Sequence, residues 1–424
     1  MKILLSAHAC EPNCGSEEGV GWNTAWETAK HHETWVLTRP RYKAAIEAEL
    51  LHQAMPNLHF VYFEAFPFTH IDPWRLGHLT GQLHYYLWQL KAYFVVRRLS
   101  QEITFNVVRH VTYVKYWSPS FVSLLPTPFI WGPVGGGESA PKAFWKDFSL
   151  RGKIYEFLRE TGQRICELDP FTRLTASRSV LVLTTTQDTA HRVIKMGATE
   201  VQVLSEAGLT KSEIEKLSQL TLPCSSPIRF ISMGRLLHWK GYHLAIRAFH
   251  QVQLPDAEYW ILGDGAEREQ LQQLINELGI DEQVKLLGRL PRDKSLSLLG
   301  ECQILLHPSL HDSGGWTCLE AMAAGRPVIC LDLGGPSVQI TSETGIKVPA
   351  HDPEQAVRGL ADAMVQLTSD PARRIQMGSA GRQRVNENFS WEVKGQFFAQ
   401  MYQQVLSFET QVAKQLLITT TKSQ

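Results

Sequence analysis

Arg235 and Lys240 stand in the segment SMGRLLHWKG (Ser232 to Gly241), which follows a β-branched run and leads into a helical one. Such a loop sits at the carboxyl edge of an open α/β sheet, where ligands bind. Arginine offers a planar fork of donors and lysine a compact charge, so the pair suits the two oxyanions of a diphosphate. Solvated surface charge is the alternative for either residue alone. A second segment, HPSLHDSGGWTCLEAMAAGRPVI (His307 to Ile329), ends a strand, passes a glycine loop and starts a helix near Gly315 or Trp316. The amides of Gly314, Gly315 and Trp316, with Thr317 in the same turn, form an anion cradle that has no Walker lysine. Glu320, one turn inside, can accept two hydrogen bonds from a ribose diol, and Asp312 can reach the hydroxyls of a sugar. Capping or ion pairing would account for each carboxylate singly. Two anion-suited loops on one sheet edge favour a nucleoside diphosphate ligand.

Three further glycines fall at the same edge: Gly234 in the arginine loop, Gly263 in LGDG (Leu262 to Gly265) and Gly288 in LLGRL (Leu286 to Leu290). Glycine there lets backbone groups read a base edge, with Arg289 beside it, although a turn after a strand is the plain explanation. Toward the N-terminus, ACEPNCGSEEGVGW (Ala9 to Trp22) joins a strand to a helix expected near Gly19 and carries Gly15 at its tip. WGPVGGGE (Trp131 to Glu138) has three consecutive glycines whose backbone entropy a mere turn rarely requires, and it ends on Glu138. His110 ends the run Phe105 to His110 and is a candidate side-chain base, with a structural histidine as the alternative.

The elements that must position these residues alternate between short apolar runs and longer amphipathic stretches, the pattern of parallel sheets with crossover helices. Strands are expected at Ile3 to Ala7, Thr34 to Thr38, Leu58 to Phe63, Phe105 to His110, Phe129 to Trp131, Val180 to Thr184 and Val201 to Leu204. A second set runs Ile228 to Met233, Glu258 to Leu262, Val284 to Leu287, Ile304 to His307 and Val328 to Leu331. The cluster Pro223, Cys224, Ser225, Ser226 and Pro227 suits a linker. The expected class is α/β with two doubly wound Rossmann-like domains, at 1–207 and 228–390, joined by a linker at 208–227. A helix from Trp391 to Phe408, with Val393, Phe397, Met401 and Val405 on one face, opens the last segment, 391–424.

The length of 424 residues fits two domains and hence a cleft. With 42 basic and 42 acidic residues no global field draws nucleic acid. The seven scattered cysteines lack metal-site spacing and read as reduced thiols. No D-x-D triplet occurs, so a metal bridging the diphosphate is not expected. No G-x-G-x-x-G with an acidic partner marks a dinucleotide oxidoreductase. The apolar run at the N-terminus is shorter than a signal-peptide core and reads as a strand. A cytoplasmic protein is expected, peripheral at most to the inner membrane face. Such contact would use Tyr85, Tyr86, Trp88, Lys91, Tyr93, Phe94, Arg97 and Arg98, unless that helix simply packs in its domain.

These motifs resemble those of the retaining GT-B glycosyltransferases of family 4, the glycosyl transferase group 1 enzymes, over nearly the whole chain. The resemblance implies that the G-R-L-x-x-x-K-G loop grips the donor diphosphate, here with Arg235 and Lys240. It aligns the family's E-x7-E pair with Asp312 and Glu320, with aspartate in place of the first glutamate. Ser313-Gly314-Gly315 replaces the usual Gly-Phe-Gly. The loop around Gly15 is similar to the family's first glycine-rich loop, and the closing helix to the one that crosses back onto the first domain. The histidine that many members carry after the Phe129 strand is absent, which leaves His110 as the nearest alternative. The implied activity is metal-independent, retaining transfer from a UDP- or GDP-linked sugar to a glycan, lipid or small-molecule acceptor, with no cofactor beyond the donor. Polysaccharide, glycolipid or small-glycoside synthesis would be its setting. The alternatives are a sugar-nucleotide epimerase and a non-catalytic sugar-nucleotide-binding protein on the same fold.

Overall fold

The computed structural model describes residues 1–66, 78–223 and 227–421. Residues 224–226, within the expected linker cluster, lie outside them. The chain divides into two compact units. Unit 1 comprises Met1–Gly137, Gly162–Glu206 and Lys394–Gln424, and unit 2 comprises Glu138–Thr161 and Ala207–Val393.

Unit 1 holds strands β1 (Lys2–Ser6), β2 (Glu33–Thr38), β3 (Leu58–Tyr62), β4 (Val107–His110), β5 (Phe129–Val134), β6 (Ser179–Thr184) and β7 (Val201–Val203). They form one parallel sheet in the order β3-β2-β1-β4-β5-β6-β7. Unit 2 holds β8 (Ile228–Met233), β9 (Ala257–Leu262), β10 (Val284–Gly288), β11 (Ile304–His307), β12 (Val328–Leu331) and β13 (Gly345–Val348). Their order, β10-β9-β8-β11-β12-β13, repeats that of the first sheet, again all parallel. Both are doubly wound, so each has one point where the strand order reverses, between β1 and β4 and between β8 and β11. Strands β4, β5, β11 and β12 are buried along their whole length, which explains the near-continuous apolar sequences of β5, β11 and β12, while β4 ends on the buried Arg109 and His110.

The structure differs from the sequence expectation in several places. Residues 208–227 are largely not a free linker. Thr210 and Glu213 form a reciprocal capping box that starts the helix Lys211–Ser218, and Leu209, Ile214 and Leu217 are buried in a core of unit 2 with Ile231, Leu305 and Leu319. Glu138–Thr161 belongs to unit 2 rather than to the first domain, because Phe144 and Phe148 bury their rings among Phe230, Leu244 and Ile246. On the closing helix Trp391–Thr421 the buried face is Trp391, Lys394, Phe398, Met401 and Tyr402. The guanidinium of Arg109 selects that face: its carbon lies 4.1 Å from the Phe398 ring centre, and its Nη1 donates to the Tyr402 hydroxyl at 3.1 Å. In agreement with the packing alternative, the helix His78–Leu99 directs Tyr85 and Trp88 into its own core, and Lys91 donates to the Glu64 carbonyl at 2.8 Å. Among the described side chains, only Phe94 of its aromatic rings is exposed.

Candidate active site

The two anion-suited loops meet at the switch point of unit 2. The first leaves β8 through Gly234 and Arg235. Gly241 takes a left-handed conformation (φ 66°) between Lys240 and the helix Tyr242–Val252, and a side chain there would lie 2.1 Å from the Pro308 carbonyl of the other loop. Only glycine lets the two loops lie this close. The second leaves β11 at His307 and enters the helix Trp316–Ala323 through Gly315, also left-handed at φ 59°.

Lys240 and Asp312 form an ion pair across the loops. The other Asp312 oxygen accepts from the amides of Gly314 and Gly315, both at 3.3 Å, and His307 Nε2 lies 3.2 Å from the carboxylate. Burial alone would raise Asp312, but Lys240 and His307 outweigh it and hold the carboxyl well below its usual range. Burial lowers His307, which Asp312 only partly opposes, and its Nδ1 lies 3.2 Å from the Thr317 hydroxyl. The cradle amides and the lysine therefore converge on one carboxylate.

Along the other side of the β8 end, Gly234, Arg235, Leu262, Gly263, Arg289 and Leu290 line a groove of about 410 Å³. The amides of Gly234 and Gly263 donate to Leu262 and Gly288 at 2.9 and 2.8 Å, which joins the ends of β8, β9 and β10 into its floor. Arg235 and Arg289 are exposed, so both guanidinium groups are open to an anionic ligand. Glu320 lies buried inside its helix with Oε1 2.7 Å from Arg292. Burial raises its carboxyl, Arg292 opposes this and Glu213 adds to it, with the outcome near 7. Trp316 is half-buried and packs on the apolar cluster beneath.

Two contributors, Glu156 and Gln339, escaped the sequence reading. Glu156, on the helix Leu150–Cys166, accepts from His238 at 2.9 Å and His311 at 3.2 Å, one from each loop. Burial would raise its carboxyl, yet these two hydrogen bonds bring it down to about 2. Gln339 donates to the Gly314 carbonyl at 2.5 Å and fixes the glycine loop from below. Glu138, expected near the ligand, accepts from the Ser313 hydroxyl at 2.6 Å, which places it beside Asp312.

Two candidates lie in unit 1, at its own switch point. Gly15 caps the helix Ser16–Ala29 in an extended conformation. His110 ends β4 and is buried, its Nε2 2.9 Å from the Tyr85 hydroxyl and 3.0 Å from Gln89 Nε2. Burial pushes its imidazole down to about 3. His8, after β1, is packed edge-on against Tyr85, Trp88 and Tyr113 and is likewise held neutral, by burial first and then by Arg39.

Comparison with known proteins agrees with this architecture. Over 96% of its length the chain superposes on 99% of a sucrose-phosphate synthase from Thermosynechococcus elongatus, with a TM-score of 0.63 at 20% identity. It superposes over 95% of its length on the whole (100%) of Anabaena Alr3699/HepE, solved in complex with UDP, with a TM-score of 0.62 at 19% identity. The fold is thus GT-B. A curated relative, the lipopolysaccharide core biosynthesis glycosyltransferase LpsE of Rhizobium meliloti, is 30% identical over 225 residues, which is 52% of this chain and 64% of that protein. The chain thus matches under two thirds of the relative's length. Residues 214–384, which carry both loops of the unit 2 switch point, match the family model described as glycosyl transferases group 1.

Proposed function

We propose that the protein is a glycosyltransferase that moves a sugar from a UDP- or GDP-linked donor, with retention of configuration and without a metal. The observation that carries this reading is the meeting of the Arg235–Lys240 and Asp312–Gly315 loops at one switch point, beside a groove sized for part of a nucleotide. In this reading Gly234, Gly263, Gly288 and Arg289 receive the base and Glu320 the ribose diol. Arg235, Lys240 and the helix amides beginning at Gly314, Gly315, Trp316 and Thr317 face the diphosphate. Asp312 positions Lys240 and meets the sugar, and Glu138 holds Ser313 beside it. The complex of a structural neighbour with UDP supports a nucleotide ligand.

As the bond from the anomeric carbon to the donor phosphate oxygen breaks, negative charge grows on the diphosphate, where the cations are placed to stabilise it. The acceptor hydroxyl attacks from the same face, and the departing phosphate oxygen takes its proton. No side-chain base is then required, which fits the neutral, enclosed His110. Gly15 belongs to the acceptor side in this scheme. We place the enzyme in the cytoplasm, in glycan or glycolipid synthesis. The test is a panel of UDP- and GDP-sugars with and without EDTA, following nucleotide release and product anomers. Release from one donor, unaffected by EDTA and with retained configuration, is expected. Donor binding without release would make the chain a binding protein, interconversion of the donor sugar alone would make it an epimerase, and loss of release in EDTA would overturn metal independence.

A further inference from the structure

The helix Leu150–Cys166 is amphipathic with its polar face turned inward. Glu156, Arg159 and Gln163, at i, i+3 and i+7, bond respectively to His238 and His311, to the Glu138 carbonyl at 2.7 Å and to the Gly136 carbonyl at 3.2 Å. The opposite face carries Leu150, Ile154, Phe157, Leu158 and Ile165, which fall on one stripe at helical spacing. These side chains are 75%, 51%, 62%, 62% and 64% exposed. Leu168 and Phe171 continue the apolar surface beyond the helix end at 68% and 46% exposed. A row of large apolar side chains facing water is not what a surface helix of a soluble protein presents.

The charges around the stripe have one sign. Between residues 150 and 178 every exposed charged side chain is an arginine: Arg151, Arg164, Arg173 and Arg178. The acidic residues of this span are turned inward or half-buried; Glu167, for instance, pairs with Arg192 at 2.6 Å. An apolar stripe bordered by guanidinium groups matches the boundary between acyl chains and anionic headgroups, since arginine engages phosphate with two parallel hydrogen bonds. A protein partner for this face would need an apolar groove bordered by carboxylates.

We propose that this helix lies in the interfacial plane of a bilayer containing anionic phospholipid, with Leu150, Ile154, Phe157, Leu158 and Ile165 toward the acyl chains and the arginines at the phosphates. The contact is reversible, as one amphipathic helix without a lipid anchor provides. It replaces the aromatic stretch Tyr85 to Arg98 as the membrane-facing element, and it is independent of the donor chemistry proposed above. The test is flotation of the full chain with vesicles of phosphatidylcholine mixed with phosphatidylglycerol, against pure phosphatidylcholine, at low and high salt. Flotation with the mixed vesicles at low salt is expected. The bound fraction should fall at least about tenfold in the triple variant Ile154→Ser, Phe157→Ser, Leu158→Ser, and in the pair Arg151→Glu, Arg164→Glu. Nucleotide release by either variant from a soluble donor should match that of the unaltered protein, which separates this proposal from the catalytic one. Absence of flotation with mixed vesicles, or equal flotation of the arginine variant, overturns the proposal. So does a stable dimer in solution that the triple variant dissolves.

Discussion

The two switch points occupy the same topological place in their sheets and carry opposite electrostatics. At β8 and β11 the loops pair Lys240 with Asp312, Arg292 lies 2.7 Å from the buried Glu320 carboxyl, and Arg235 and Arg289 stay open to solvent. At β1 and β4 the corresponding positions hold His8, packed among Tyr85, Trp88 and Tyr113, and His110, bonded to Tyr85 and Gln89, and burial lowers both imidazoles. The shared topology supplies a loop cluster and leaves its chemistry to the residues.

The comparison is broken most directly at the charged edge. Arg235→Ala should lower turnover at saturating donor by roughly 30- to 1000-fold, equivalent to ~2–4 kcal/mol of transition-state stabilisation. Because Arg235 is exposed, the fold should be unaffected. Lys240→Ala should lose turnover similarly and also lose stability, on the order of 2–4 kcal/mol, because Asp312 is left without its countercharge. Kinetics with and without EDTA, paired with thermal melts, measure both, and near-wild-type turnover of folded Arg235→Ala would remove the assignment.

Glu320 sharpens the contrast through pH. Its carboxyl keeps its proton up to about 7. The carboxylate is the stronger acceptor for a ribose diol, so nucleotide affinity should rise as pH climbs through 7. Glu320→Gln should weaken binding about tenfold above that pH and remove the dependence. Stability responds in the other sense: between the ordinary carboxyl value of about 4.5 and 7 the unfolded chain ionises while the folded one does not, so wild-type stability declines across that window. Calorimetry across pH tests both statements, and a flat wild-type profile would exclude Glu320 as the ribose ligand.

The smallest effect is expected at the neutral edge. His110→Gln should keep turnover within about threefold and leave the pH–rate profile above 6.5 unchanged, since a group titrating near 3 has no proton to exchange there. Its lowered value means that stability falls as pH drops from 6.5 to about 3, and the variant should lack that contribution. Disappearance of the acidic limb of the pH–rate profile would instead make His110 a base.

Much of this was legible in the sequence because its signals are local. The β-branched runs at Ile304–His307 and Val328–Leu331 name their own strands, and the glycines around Arg235 and Asp312 mark loops by backbone requirements that neighbours cannot change. Strand β13 escaped because GIKV is short and begins on glycine at a sheet edge. The Lys240–Asp312 pair joins residues 72 apart, and Glu156 meets His238 across 82, so neither contact leaves a periodic trace. Glu156 was further hidden by its helix, whose polar face reads as the solvent side when it is in fact the packed one. The breaker cluster after Leu222 suggested a linker, but the capping box at Thr210 and the leucines around it weigh more once a core is available to them.

The discontinuity of the units bears on how the chain is made. Glu138–Thr161 leaves the ribosome well before the residues against which Phe144, Phe148 and Glu156 pack, and unit 1 in turn waits for Lys394 and the helix that follows. Neither unit can complete its core vectorially. The nascent chain must carry an exposed Phe144 and Phe148 through most of elongation, a state that invites chaperone capture. A gene cut near residue 207 would separate each half from part of its own interior.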